Sequence, residues 1–341
     1  LTVRRILLIR TDRIGDVVLT LPVVDLIRKQ WPDARVTFLV REYTQELVRN
    51  VSGVDSVILA DRESRSRSDR ELLNDIREGQ FDVAVHVFPR ARWAWLIWRA
   101  GIPVRVGTVY RWYSFFFNRR ARDHRKHGLR HEAVFNARLL IPLGVDVPET
   151  VRPRLSPTAA HVEAAERVRT ELGLKPDERP VILHPGSGGS SRDWPAHRFG
   201  DLAKTMAVRG PVVVTGSANE STLVEAVVER SGGAARACIG RMSLMELAAF
   251  IQRGSVFVAN STGPLHIAAA VGTPVVGFYP PIAAASATRW GPLSDRSVTF
   301  TPDPARCPHC TGDMCVGSLC MEQIGVEEVV EAVEKMKSKK V

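Results

Sequence analysis

Residues 181–203 read VILHPGSGGSSRDWPAHRFGDLA. The apolar run ends in His184-Pro185-Gly186, where a buried parallel strand stops; a Gly/Ser loop, Arg192, Trp194-Pro195 and an amphipathic stretch with helical spacing follow. A small-residue loop between a strand end and a helix start presents backbone N–H groups and the positive end of the helix dipole, which suits phosphate. Ser187, Gly188, Gly189 and Ser190 are the loop candidates, and Arg192 adds a planar, permanently charged fork suited to a diphosphate. The segment has neither GK[ST] nor GxGxxG, so an ordinary strand-to-helix connection stays open as the alternative.

The same alternation recurs along the chain. Residues 5–10, 34–40, 56–59, 82–87 and 104–107 are short apolar runs separated by polar, helix-like segments, one of them 15–30. A Pro/Thr/Arg-rich stretch, 148–157, reads as a linker, and the pattern restarts at 181–183, 212–215, 237–239, 256–259 and 275–278. Strands alternating with helices predict parallel sheets covered on both faces. A chain of 341 residues suits two domains, expected at 1–155 and 156–325, with a C-terminal helix and basic tail over 326–341. The expected fold class is α/β: two Rossmann-like doubly wound domains facing an interdomain cleft, with ligands at the C-terminal ends of the strands.

A hydrophobic fraction of 45% and a charged fraction of 25% exclude a disordered chain. Nothing approaches the length of a membrane-spanning apolar run. Arg4 and Arg5 precede only a short apolar stretch that meets Arg10 and Asp12, which does not make a signal peptide, so a cytoplasmic location is expected.

The formal net charge is +10, concentrated at 119–127 (RRARDHRKH) and in the lysines of 335–340. Such an excess points to a polyanion: nucleic acid, an anionic membrane surface or a phosphorylated glycolipid. A solvated face is the simpler reading of the terminal lysines. Residues 92–99 (RWAWLIWR) and 111–120 (RWYSFFFNRR) interleave aromatics with arginines. This suits an amphipathic glycolipid at a membrane surface, and equally single-stranded nucleic acid. Core packing is the alternative for Trp93, Trp95 and Trp98, while 115–117 reads as a mobile acceptor loop.

Four motifs fall in order. Residues 8–22 (LIRTDRIGDVVLTLP) give a strand, a Gly15-Asp16 turn and a helix carrying Pro22; the 184–195 loop is second. Residues 257–281 (FVANSTGPLHIAAAVGTPVVGFYPP) give a strand, an Asn-Ser-Thr-Gly turn, a small-residue helix and a strand; a Cys block ending CMEQIGVEEVVEAV is last. In this order and spacing the chain resembles glycosyltransferase family 9, which contains the ADP-heptose:lipopolysaccharide heptosyltransferases, over nearly its whole length. The resemblance implies a GT-B fold, an N-terminal acceptor domain, a C-terminal nucleotide-sugar domain, and inverting transfer without metal or cofactor. It places the base at Asp16. Implied partners are a nucleotide sugar (ADP-heptose), a phosphorylated glycolipid acceptor and the inner membrane surface, touched peripherally.

Direct displacement at an anomeric carbon needs a proton removed from the attacking hydroxyl, which a carboxylate at the tip of a βα turn can do. Asp16 could also serve as an N-cap. Asp12 nearby reads as structural or acceptor-binding. Ser261, Thr262 and Gly263 open a second helix at Pro264, suited to the leaving diphosphate. His266, one turn in, is either a donor contact or a capped polar position. Arg13, Arg92, Arg119 and Arg120 are the acceptor-side candidates.

Two departures from the heptosyltransferase pattern stand out: Arg192 where Lys is common, and Ser261 after Asn260 where Asp is frequent. The second leaves the sugar open, so another nucleotide sugar feeding a surface glycan is the nearest alternative. A non-catalytic nucleotide- or nucleic-acid-binding protein is a further one. Asp16 and both phosphate loops argue against lost catalysis, and the lack of a compact nucleic-acid motif argues against nucleic acid. Cys307, Cys310, Cys315 and Cys320, spaced CxxC-x4-C-x4-C around His309, allow zinc or an iron–sulfur cluster. Together with the isolated Cys238, however, they are expected to be free or redox-sensitive thiols.

Overall fold

Two compact units, Leu1–Ser156 and Pro157–Val341, make up the computed structural model. It describes residues 3–125, 128–303, 305 and 319–338. Unit 1 runs β1 (Arg5–Ile9), α1 (Ile14–Val18), α2 (Pro22–Gln30), β2 (Arg35–Val40), α3 (Glu46–Arg49), β3 (Ser56–Leu59) and a short ribbon of β4 (Asp61–Arg62) and β5 (Arg65–Ser66). It continues through α4 (Asp69–Glu78), β6 (Val83–His86), α5 (Ala91–Arg99), β7 (Val104–Thr108), β8 (Arg119–Ala121) and α6 (Glu132–Arg138). Unit 2 holds α7 (Ala159–Glu171), β9 (Val181–His184), α8 (Ala196–Ala207), β10 (Val212–Gly216), α9 (Ser221–Arg230), β11 (Arg236–Ile239) and α10 (Leu244–Gln252). Then come β12 (Val256–Asn260), α11 (Gly263–Ala270), β13 (Val275–Phe278), α12 (Ala287–Trp290), β14 (Ser297–Phe300) and α13 (Val326–Ser338).

Each unit has a six-stranded sheet, ordered β3-β2-β1-β6-β7-β8 in the first and β11-β10-β9-β12-β13-β14 in the second. Every pairing within them is parallel, for example Ile9 opposite His86 and Ala259 opposite His184. Right-handed crossovers then set helices on both faces, which is why β1 and β9 are apolar at nearly every position rather than at alternate ones. The strand order reverses at β1/β6 and at β9/β12, the switch points where such sheets open a crevice beyond their C-terminal ends.

The core of unit 1 joins Leu7, Ile9 and Leu39 to Trp93, Leu96 and Ile97 of α5, and to Tyr113 and Phe117. In unit 2, Trp194 stacks on Phe278 at 4.4 Å, and Val329, Val333 and Met336 bring α13 into the same core. Full burial of each such side chain contributes roughly 1.5–3 kcal/mol. Among the described residues no helix is long and apolar enough to cross a membrane.

Local details differ from the sequence expectation. The helix foreseen over 15–30 is two helices, with Pro22 starting α2; proline lacks the N–H and crowds the preceding turn. Edge strands β8 and β14 were not foreseen, since arginines and serines mask the pattern that pairing on one side allows. The 115–117 segment is not a loose loop. Phe117 is buried against Gly107, where a Cβ would lie 2.4 Å from its ring, and Ser114–Phe116 form a 3-10 turn. Of the three tryptophans of α5 only Trp93 is in the core; Trp95 and Trp98 are exposed.

Candidate functional site

At the unit 1 switch point, the apolar strand β1 runs straight into Arg10, whose guanidinium is 2% exposed. It lies 2.7 Å from Asp12, hydrogen-bonds Asp16, stands 3.8 Å from Glu132 and donates to Asn136 Oδ1 at 3.3 Å. The Asp12 contact is an ion pair out of hydrogen-bond alignment. Three carboxylates around one buried cation hold the Arg10 pKa above its ordinary value, despite the opposing effect of burial. Burial pushes Asp12 up to about 7, with the Asp16 charge adding to the rise and Arg10 opposing it.

Asp16 is not the N-cap. Arg13 holds that position, without a capping side chain, and Asp16 sits in the first turn of α1, where an acidic group meets the helix dipole favourably. Its carboxylate is 16% exposed, so it keeps an open side while Arg10 fixes its direction. Asn136, fully buried on α6, donates to Leu19 O (3.1 Å) and Thr20 Oγ1 (3.2 Å), tying α6 to the turn after α1. Glu132, on the same helix, also pairs with Arg125. Across the switch point His86 ends β6. Its Nε2–H donates to Arg90 O at 3.0 Å, and burial pushes its pKa down to about 4, so it is neutral near pH 7.

The other sequence candidates of unit 1 scatter. Arg13 is exposed beside this cluster. Arg119 and Arg120 project from edge strand β8. Arg92 is engaged elsewhere: its guanidinium holds Asp69 (2.6 Å), Ser66 (2.8 Å) and Arg67 O (2.5 Å), pinning β5 to α4 and α5.

The unit 2 switch point is held together by a neutral side chain. Asn260, fully buried at the end of β12, accepts from Trp194 N–H and donates to Pro185 O, both at 2.7 Å. One amide thus clamps the loop after β9. Gly188 (φ +56°) and Gly189 (φ +71°) are both left-handed, and Ser190 N–H returns to Ser187 O at 3.1 Å to close the turn. Ser190 Oγ also lies within hydrogen-bonding range of Ser261 O at 3.0 Å, so the two sequence-predicted loops are one structure. Ser187 is buried, Arg192 is half-buried on the same loop, and Thr262 is the N-cap of α11, with Gly263 and Pro264 opening the helix. No side chain caps α11, so its first N–H groups remain for a ligand. His266 is buried within α11.

Sequence reading missed several members. His184 Nδ1–H donates to Thr215 Oγ1 (2.9 Å), whose own proton goes to Leu183 O (3.2 Å). Glu220 lies so close to Gly186 that a Cβ there would stand 1.9 Å from its Oε1, bringing a carboxylate to the rim of the loop. Asp193 is pushed up to about 6 by burial, moderated by the Ser187 hydroxyl. The one available signal was a charged residue closing an apolar strand, as at Arg10. Among the described residues no three His, Cys, Asp or Glu side chains converge to hold a metal. Cys307, Cys310 and Cys315 lie outside the described residues; Cys320 and Cys238 are buried, and burial raises Cys238 to about 11.

The curated relatives include a putative glycosyltransferase of Haemophilus influenzae, 28% identical over 87% of this chain and 89% of its own. Lipopolysaccharide heptosyltransferase 3 of Escherichia coli is 23% identical over 94% of this chain and 96% of its own. Among solved structures, a family 9 glycosyl transferase of Veillonella parvula superposes with a TM-score of 0.85 at 23% identity, covering 99% of this chain and 98% of that one. E. coli ADP-heptose lipopolysaccharide heptosyltransferase II gives 0.79 at 19% identity, with 98% of each chain covered. Both share the make-up of two doubly wound α/β units that defines a GT-B fold. Residues 70–318 match the profile of glycosyltransferase family 9 (heptosyltransferase), most of the chain and both units, and the protein belongs to that family.

Proposed function

We propose that this enzyme transfers a heptose from ADP-heptose to a phosphorylated lipopolysaccharide-core acceptor, with inversion and without a metal. The observation that carries the reading is the contrast between a carboxylate fixed by a buried cation in unit 1 and an uncapped helix start beside a left-handed glycine turn in unit 2. An acceptor hydroxyl attacks the anomeric carbon, its proton passes to Asp16, and the bond to the diphosphate breaks with its electron pair leaving on the nucleotide. Arg192, the N–H groups of Gly188 and Gly189 and the start of α11 meet the charge that develops there. Arg10 occupies the centre of the carboxylates and aims Asp16. Arg13, with Arg119 and Arg120, would meet acceptor phosphates; the engaged fork of Arg92 leaves it out. ADP-heptose and lipopolysaccharide come from the names of relatives and structural neighbours, and a cytoplasmic site of action fits such a donor.

Thermal unfolding with ADP, UDP, GDP and dTDP, on wild type and Arg192→Glu, tests the donor. A bound nucleotide at a hundredfold excess over its Kd stabilises by about 2.7 kcal/mol. Stabilisation by ADP alone, lost in the variant, is expected. Stabilisation by a different nucleotide discards heptose while keeping transfer, and none with any nucleotide discards the donor loop.

A further inference from the structure

Residues 88–122 hold eight arginines, ten aromatic residues and no Asp or Glu, and include four of the seven tryptophans. The fold joins four of these rings into one patch. Trp98 (48% exposed), Phe116, Phe115 (61%) and Trp112 (77%) form a chain of ring contacts, with centroids 5.3, 4.4 and 6.4 Å apart. Its footing is firm: Phe117 and Tyr113 are buried beneath, and Arg105 Nε donates to Phe116 O at 2.8 Å. Arg90, Arg99, Arg111, Arg119, Arg120 and Arg122 are exposed along the same segment, and among the described residues none makes an ion pair. Elsewhere in unit 1, Arg28, Arg41, Arg67, Arg125 and Arg138 each meet a carboxylate.

We infer that this face docks on an anionic lipid surface. Uncompensated arginines meet lipid phosphates while the linked rings enter the headgroup boundary, where amphipathic aromatics settle. Rings tilted onto one another by 41–47° offer a joined apolar patch rather than separate open faces for stacking bases, which favours lipid over single-stranded nucleic acid. Docking of this kind is independent of which sugar is transferred.

The test is flotation of the full chain with phosphatidylcholine vesicles and with vesicles containing phosphatidylglycerol. Binding is expected only to the second and falls as salt rises. Arg111→Glu with Arg122→Glu should weaken it at least about fivefold per arginine. Trp112→Ala with Phe115→Ala should weaken it at any salt, and brominated lipid should quench the fluorescence of wild type more than that of Trp112→Phe. Unchanged thermal unfolding verifies that the variants fold. The inference is overturned by equal binding to both vesicle types or to neither. It is also overturned by loss of self-association in the Trp112/Phe115 variant, which would make a second copy the occupant, or by patch-dependent binding of a short single-stranded RNA in place of vesicles.

Discussion

The two sheets share one strand order, yet their switch points carry opposite chemistry. Beyond β1 lies a buried cation ringed by Asp12, Asp16 and Glu132; beyond β9 lies a neutral amide, Asn260, that clamps the loop after that strand. Topology therefore locates a crevice and leaves its chemistry to a handful of loop residues. A charged cluster can hold and take up a proton; a frame of N–H groups can receive an anion that departs.

The contrast breaks first at Asp16. Asp16→Asn keeps the shape and removes the proposed base, and kcat should fall on the order of a thousandfold, while ADP-induced stabilisation is unchanged. A variant within tenfold of wild type would move the base elsewhere. Next comes Arg10→Met, which strands three carboxylates in a buried place and should cost about 3–5 kcal/mol. Lower pH should restore part of that loss by neutralising them, whereas a melting temperature unchanged at pH 8 would mean that the cluster is not held by charge.

On the neutral side, Asn260→Ala leaves Trp194 N–H and Pro185 C=O buried without partners, at a cost of about 1–3 kcal/mol for each group unless water enters. Denaturant titration measures it, and weakened ADP binding should accompany it because the β9 loop loses its clamp. Asp12 sharpens the comparison through pH. Its folded pKa of about 7 lies above the ordinary 3.8, so its contribution to stability is complete below pH 3.8 and is lost as pH rises through 7. Asp12→Asn should therefore gain on wild type across that window, by at most about 1.4 kcal/mol per pH unit, and run parallel above it. Parallel curves throughout would show that Asp12 is not perturbed.

The sequence made the strands and their alternation legible because parallel strands buried on both faces are continuous apolar runs. It located both turns, since small and polar residues interrupt the apolar runs there. What it hid is long-range: Glu132 and Asn136 reach Arg10 from more than a hundred residues away, and Glu220 reaches Gly186 from the next βα turn. Ser261 read as the missing carboxylate of the donor turn, while the clamp beside it, Asn260, shows only through its bonds to Trp194 and Pro185. Trp112 and Phe115 could be placed on the surface only once Phe117 and Tyr113 were seen beneath them.

The smallest effect separates two kinds of glycine in one loop. At Gly189 a Cβ meets nothing within 4 Å, yet φ is +71°, so Gly189→Ala should lose only the left-handed cost of about 1 kcal/mol. At Gly186 the φ is ordinary but the space is taken, and Gly186→Ala must displace the Glu220 carboxylate. Stability should thus respond to backbone strain at Gly189 and to crowding at Gly186. Pairing each with Glu220→Ala in a double-mutant cycle tells them apart: the Gly186 loss should shrink and the Gly189 loss stay the same. Equal coupling of both to Glu220 would show that the turn moves as one piece. The backbone proposed to meet the leaving diphosphate would then be set by the carboxylate at its rim rather than by the glycines themselves.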